Sequence, residues 1–121
     1  MNIRIKAVRY KGDISNERLV LKVLANADIG AYAVFKTEVS QGGVSNKIKV
    51  AYWFPDKSVK AGDLVVLYTK EGVDKEKLNE SGLTTHFFYW GKTKPVWNID
   101  DRAVVLLRIA EWDFKLLHSS E

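Results

Sequence analysis

Apolar and polar side chains alternate along most of this chain, and this two-residue repeat constrains its fold more than any other feature of the sequence. The clearest run occupies residues 47–54, whose alternate positions are predicted to form one face of a strand. That face carries Ile48, Val50, Tyr52 and Phe54. Little of the chain shows the 3.6-residue period of an amphipathic helix, so the sequence predicts a fold made of strands.

About seven short strands are predicted, separated by residues that favour turns. They are expected within residues 2–7, 19–23, 32–37, 47–54, 64–69, 84–90 and 102–109. The polar segment 70–82 is expected to be the longest loop, with one helical turn at residues 75–78, and residues 111–117 are expected to add a short edge strand. Short strands with intervening turns are typical of an all-β sandwich or barrel.

Glycine and proline mark where several of these strands end. The segment Gln41-Gly42-Gly43 predicts a hairpin, because glycine adopts positive φ at no steric cost. Pro55 cannot donate to a ladder and is expected to end the preceding strand, while Gly62 is expected in the turn that opens the next. The continuous apolar run of that next strand, residues 64–68, predicts a central position with both faces buried.

The length of the chain fits one domain. A chain of 121 residues is predicted to fold as a single unit over residues 1–117, followed by a short tail at residues 118–121. Cysteine is absent, which excludes disulfide bonds and thiolate metal sites. The charges near Met1 do not fit a signal peptide, and no run approaches the roughly 20 apolar residues of a membrane span. We therefore expect a cytoplasmic protein with no membrane partner.

No catalytic pattern occurs in the sequence. His86 and His118 are the only histidines, and neither has a carboxylate nearby in the sequence to orient it. The serines lack a nucleophile-elbow pattern, and no glycine-rich phosphate loop or metal-spaced histidine pair is present. Asp100 and Asp101 alone are too few oxygen ligands for calcium, which needs about six. The sequence therefore predicts a non-enzymatic protein with no cofactor and no metal.

Several residues between the strands have structural explanations. Trp97 is expected to fill the core, with its indole N–H bonded to a loop carbonyl. Asn98 is expected to cap or bridge a turn through its side-chain amide, and Asp100-Asp101 suits a tight turn. Together with Pro55 and Gly62, these residues are interpreted as parts of the framework.

The order of three short motifs resembles the lamin-tail domain. The motifs are Phe54-Pro55-Asp56, the segment 60–69 (KAGDLVVLYT) and the segment 96–106, which begins Val96-Trp97-Asn98 and includes Asp101. The resemblance covers residues 20–109. It implies an immunoglobulin-like antiparallel β-sandwich of seven to nine strands and a non-catalytic accessory module, which in nuclear lamins binds proteins and is a candidate DNA-binding domain. A family name of this kind predicts the fold better than the function.

The candidate binding residues are basic and aromatic side chains that the alternation directs mainly toward solvent. They are Arg4, Lys6, Lys47, Lys49, Trp53, Tyr89, Arg102 and Arg108. Aromatic residues are enriched at the centres of protein interfaces, so this set fits a protein partner or a homo-oligomer. Cations that contact phosphates beside a ring that stacks on a base also fit single-stranded nucleic acid. In a third interpretation the lysines only keep exposed strand edges from pairing. We expect a protein-binding or self-associating module, with nucleic-acid binding as the alternative.

Overall fold

The computed structural model describes residues 1–118, so of the predicted tail only His118 falls within the described part of the chain. This part contains ten strands and one short 3-10 turn, Ile29–Ala31. The strands are β1 (Ile3–Arg9), β2 (Arg18–Val23), β3 (Ala27–Asp28), β4 (Tyr32–Ser40), β5 (Gly43–Trp53), β6 (Ser58–Val59), β7 (Leu64–Tyr68), β8 (Lys75–Leu78), β9 (Thr84–Tyr89) and β10 (Arg102–Arg108). The predicted all-β fold is confirmed. No helix within residues 1–118 has the length and apolar character needed to cross a membrane.

The strands form two main sheets. The five-stranded sheet has the order β1-β2-β7-β9-β8, the three-stranded sheet has the order β10-β4-β5, and β3 pairs with β6 in a short separate ladder. All pairings are antiparallel except that of β7 with β9. The parallel pair arises because β9 returns antiparallel to β8 and lies between β8 and β7.

The core lies between the two main sheets, as in a sandwich. It is built from the inward side chains of β2, β7 and β9 on one side, and of β4 and the end of β5 on the other. Its buried members include Leu21, Val34, Phe54, Leu67 and Phe88. The central strand β7 is buried on both faces, as its continuous apolar sequence predicts.

The predicted hairpin is confirmed between β4 and β5. Ser40 pairs with Gly43, and the two residues between them both have positive φ, 50° at Gln41 and 79° at Gly42. Two such residues define a type I′ turn, whose twist matches that of paired strands. Gly62 also lies in a turn as predicted, with φ of 93°. β5 ends at Trp53, two residues before Pro55.

The structure differs from the sequence predictions in three segments. Residues 75–78 form strand β8 instead of a helical turn, because Lys75 and Lys77 pair with Phe87 and Thr85 of β9. Pairing with an existing strand outweighs the weak local preference of this charged segment. Residues 111–117 do not form the predicted edge strand. The strand count exceeds seven to nine because of the short strands β3, β6 and β8.

The third segment that differs from the prediction is β5, which contains a β-bulge. Lys36 pairs with Val50 and the next residue, Thr37, pairs with Ile48, so Lys49 is an extra residue in β5. An extra residue shifts the alternation of side chains on the bulged strand. The simple alternation predicts that Ile48 shares a face with Val50 and Tyr52. In the structure the side chain of Ile48 instead points to the opposite side of the sheet.

Candidate functional site

The outer face of the three-stranded sheet is apolar. Val34, Tyr52 and Leu106 pack toward the core from its three strands, so their immediate neighbours in each strand project away from it. Cross-strand pairs extend this outer face over all three strands. Its side chains are Ala33, Phe35, Ala51, Trp53, Val105 and Leu107. We call this surface the apolar face.

The β-bulge extends the apolar face along β5. Ile48, which pairs with Thr37, is 50% exposed, and the next pair toward the hairpin joins Val39 to Val44, both exposed. Trp53 lies at the other end of the strand and is 48% exposed, although its indole N–H donates to the carbonyl of Gly30 at 2.8 Å. Contiguous exposed apolar surface is a feature of protein contact sites and of ligand- or membrane-binding sites.

The segment that follows β10 adds more apolar surface. We call residues 111–117 the arm. The chain leaves β10 through a hydrogen bond from the Ile109 N–H to the Ala31 carbonyl, and Trp112 then packs edge-on against Trp53, with ring centroids 5.1 Å apart. Phe114 contacts Trp112 but is itself 70% exposed, and Leu117 is 97% exposed. The arm therefore covers one end of the apolar face and leaves its own apolar side chains in solvent.

The predicted basic residues on the three-stranded sheet have different surroundings. Lys47 and Lys49 lie on β5 near the apolar face, and Lys49 forms an ion pair with Glu38 at 2.6 Å. Arg102 begins β10, is half-buried, and pairs with Asp101 at 2.8 Å. Arg108 ends the same strand and is exposed.

The outer face of the five-stranded sheet is basic. In each strand, the immediate neighbours of core side chains such as Leu21, Val65 and Phe88 project outward. The residues paired with these neighbours on adjacent strands project outward as well. The charged members are Arg4, Arg9, Arg18, Lys22, Lys75 and Lys77. No Asp or Glu occupies an outward position on the five strands of this sheet. We call this surface the basic face.

Aromatic rings stand at one end of the basic face. Tyr89 and Tyr68 stack with an interplanar angle of 9° and centroids 5.3 Å apart. The guanidinium of Arg18 and the ammonium of Lys70 lie 5.5 and 5.0 Å from the Tyr68 ring centroid. These rings are thus already in contact with each other, and the Tyr68 ring also contacts two cations of the protein. The loop at Gly72 also lies against the Tyr89 ring.

The candidate residues are consequently divided between two sheets. Arg4 and Tyr89 belong to the basic face, whereas Lys47, Lys49 and Trp53 lie on β5, an edge strand of the three-stranded sheet. Lys6 is exposed at the register shift in β1 between Ile5 and Ala7. The alternation of residue types predicts which side of a strand each side chain is on, but it does not predict the sheet to which that strand belongs.

Glu17 was not identified from the sequence. Its carboxylate is fully buried and accepts hydrogen bonds from the N–H groups of Gly12, Val96 and Trp97, at 2.9, 2.8 and 3.2 Å, and from the Thr69 hydroxyl at 2.5 Å. It therefore joins the loop after β1, the end of β7 and the loop that leads to β10. A glutamate just before an apolar strand gives no sequence signal of this role.

His86 and Asp63 form a buried pair, with Nε2 and Oδ2 2.8 Å apart. Asp63 also accepts hydrogen bonds from the N–H groups of Lys60 and Thr84, both at 3.0 Å. Burial raises the pKa of Asp63, but the hydrogen bond with His86 and the two backbone hydrogen bonds outweigh it, so the pKa lies below its ordinary value of 3.8. The carboxylate that orients His86 is 23 residues away, which is why the sequence did not reveal it.

The framework predictions have mixed outcomes. Trp97 is buried as expected and packs against Trp90 at 5.9 Å, but its indole N–H has no hydrogen-bond partner within residues 1–118, so the predicted bond to a loop carbonyl is wrong. Asp100 and Asp101 form a turn as predicted. Asn98 is exposed beside Gly12. The described part of the chain contains no group of three His, Asp or Glu side chains able to hold a metal ion.

Comparison with models of known protein families and with curated proteins finds no match to this chain. The resemblance to the lamin-tail domain therefore stays a prediction from the sequence motifs.

Proposed function

We propose that this chain is a non-catalytic module that binds protein through the apolar face. The observation that carries the proposal is the concentration of large apolar side chains on this one side of the sandwich. Ile48 and Trp53 are each about half exposed, and the arm adds Trp112 and Phe114. Leaving such groups in water is unfavourable by about 25 cal/mol per Å² of apolar surface, and a bound partner removes that cost.

The surroundings of the titratable groups support a binding role over catalysis. The His86 ring is buried, and its only hydrogen-bond partner within the described residues is Asp63. Asp63 is in turn engaged by two backbone N–H groups, so the pair has the character of a structural link between β9 and the turn before β7. The motifs that resemble the lamin-tail domain also favour an accessory binding module.

The proposal is tested by site-specific photo-crosslinking in cells that produce the chain naturally. A photoreactive amino acid is placed at Ile48 on the apolar face, or at Leu78, which is also exposed but lies on β8 of the other sheet. We expect one discrete cross-linked product from position 48 and none from position 78. No product at position 48, or equal products at both positions, would show that the apolar face is not a specific contact site.

Nucleic-acid binding is a second candidate, and the basic face favours it. Its outward charges are all positive, and Arg4, Lys22 and Lys77 form no ion pair within the described residues. Because the stacked tyrosines are already engaged, phosphate contacts are expected to dominate over base stacking. Affinity for a labelled 20-nucleotide strand and its duplex is measured at two salt concentrations. Binding that weakens steeply with salt and fails in Lys22→Glu/Lys77→Glu supports this function, and salt-independent binding opposes it.

A further inference from the structure

We infer that the partner at the apolar face is a second copy of this chain, joined by antiparallel pairing of the two arms. The inference rests on the proposed function, because the arm and the apolar face form one continuous surface. The contact between Trp112 and Trp53 is the point at which they meet. The partner is identified by the charge pattern of the arm.

The arm has the pattern of a strand with two different sides. Trp112, Phe114 and Leu116 alternate with Glu111, Asp113 and Lys115. All three apolar side chains of this set are more than half exposed. Alternation of this kind is typical of a strand that is apolar on one side and solvated on the other. In a single copy residues 111–116 belong to no strand ladder.

The arm is complementary to itself when two copies run antiparallel about Phe114. In this register Asp113 of each copy faces Lys115 of the other, which gives two symmetry-related pairs of opposite charge. Trp112 faces Leu116 of the other copy in the same way, and the two Phe114 side chains face each other. The resulting two-stranded ribbon has all its large aromatic groups on one side, where they meet the apolar faces.

Other exposed strand edges in residues 1–118 do not offer this complementarity. Arginine and lysine are the only charged side chains of β1, β5 and β10, so pairing of any of these edges with its own copy sets no charges of opposite sign on the two strands against each other. For example, antiparallel pairing of two β5 strands about Ile48 sets Lys47 against Lys49. β8 carries charges of both signs but is only four residues long. The arm is thus the segment best suited to self-pairing.

Sedimentation velocity of the intact chain, from about 1 to about 200 µM, tests this inference together with two charge-reversal variants. We expect the original chain to form a dimer, and Asp113→Lys and Lys115→Asp each to be monomeric, with dimer dissociation constants raised at least tenfold. An equimolar mixture of the two variants is expected to form a heterodimer, because every facing pair then again has opposite charges. Far-UV circular dichroism checks that both variants keep their strands.

Three results would overturn the inference: a monomeric original chain, single variants that still dimerise, or a mixture that remains monomeric. None of them decides the proposed function. That function is judged by the cross-link from position 48, whose product has the mass of two chains if the inference is correct. A product of any other mass would support protein binding at the apolar face and contradict the second copy as partner.

Discussion

Replacement of Glu17 is expected to be the most damaging single change in the framework. In Glu17→Ala the N–H groups of Val96 and Trp97 lose their acceptor in a region where Glu17 itself is 0% exposed. A buried donor left without a partner costs about 1–3 kcal/mol, so these two groups account for about 2–6 kcal/mol. The Gly12 N–H and the Thr69 hydroxyl are less costly, because the first is only part-buried and the second can rotate. We expect a total loss of about 3–5 kcal/mol from the free energy of unfolding.

Two milder variants separate the carboxylate's hydrogen bonds from its volume. Glu17→Gln keeps the volume and one acceptor oxygen but directs an amide NH₂ toward donors, so a loss of about 1–3 kcal/mol is expected. Thr69→Val removes only the hydroxyl donor and leaves the backbone donors satisfied, so a loss of about 1 kcal/mol is expected.

Urea unfolding followed by circular dichroism and tryptophan fluorescence measures these differences. With a denaturant slope of about 2 kcal/mol per molar, Glu17→Ala should lower the midpoint by about 2 M. The order of stability should be the original chain, then Thr69→Val, Glu17→Gln and Glu17→Ala. A loss below about 1 kcal/mol in Glu17→Ala would refute the reasoning, because water would then be shown to satisfy these donors as well as the carboxylate does.

Three further predictions concern the turns and the buried pair. Gly30→Ala sets a Cβ 2.7 Å from the Asp56 Cα and should cost about 3 kcal/mol in urea unfolding, whereas Gly43→Ala, whose nearest neighbour is 3.8 Å away, should cost under about 1 kcal/mol. The interactions that lower the pKa of Asp63 stabilise the fold while its carboxyl group is ionised, above the unfolded pKa of 3.8. This stabilisation is lost as the pH falls below 3.8 and through the lower pKa of the folded chain. The stability difference between the original chain and Asp63→Asn should therefore shrink from about pH 5 to about pH 2. Gln41→Asn should stabilise the hairpin by about 0.5 kcal/mol, since asparagine tolerates positive φ better than glutamine, and a lowered melting temperature would contradict this.

Features governed by local residue order were predictable from the sequence. The alternation predicts strands, and the glycines at 42 and 62 lie in the turns that were expected of them. The continuous apolar run of β7 predicts its central, doubly buried position. Each of these follows from the preference of a few neighbouring residues, and none depends on which strands become partners.

Features that depend on strand pairing were not predictable in the same way. β8 is a strand because β9 returns beside it, and its own charged sequence has no apolar pattern. Ile48 faces outward because one extra residue enters β5, which reverses the alternation on one side of Lys49. The same bulge extends the apolar face toward the hairpin. Of the side chains on the apolar face, only Trp53 was predicted from the sequence as a binding candidate, and the sequence did not indicate that the candidate residues are divided between two sheets.

The position of the candidate site depends on contacts made elsewhere in the sandwich. β10 pairs with β4 alone. The loop that leads into β10 is held in place by Glu17, which accepts hydrogen bonds from the Val96 and Trp97 N–H groups. The arm follows β10, so its starting point is determined by the same loop. At the other end of β10 the Ile109 N–H to Ala31 bond directs the chain toward Trp53. A buried carboxylate before β10 and a backbone hydrogen bond after it therefore hold the strand from which the arm starts.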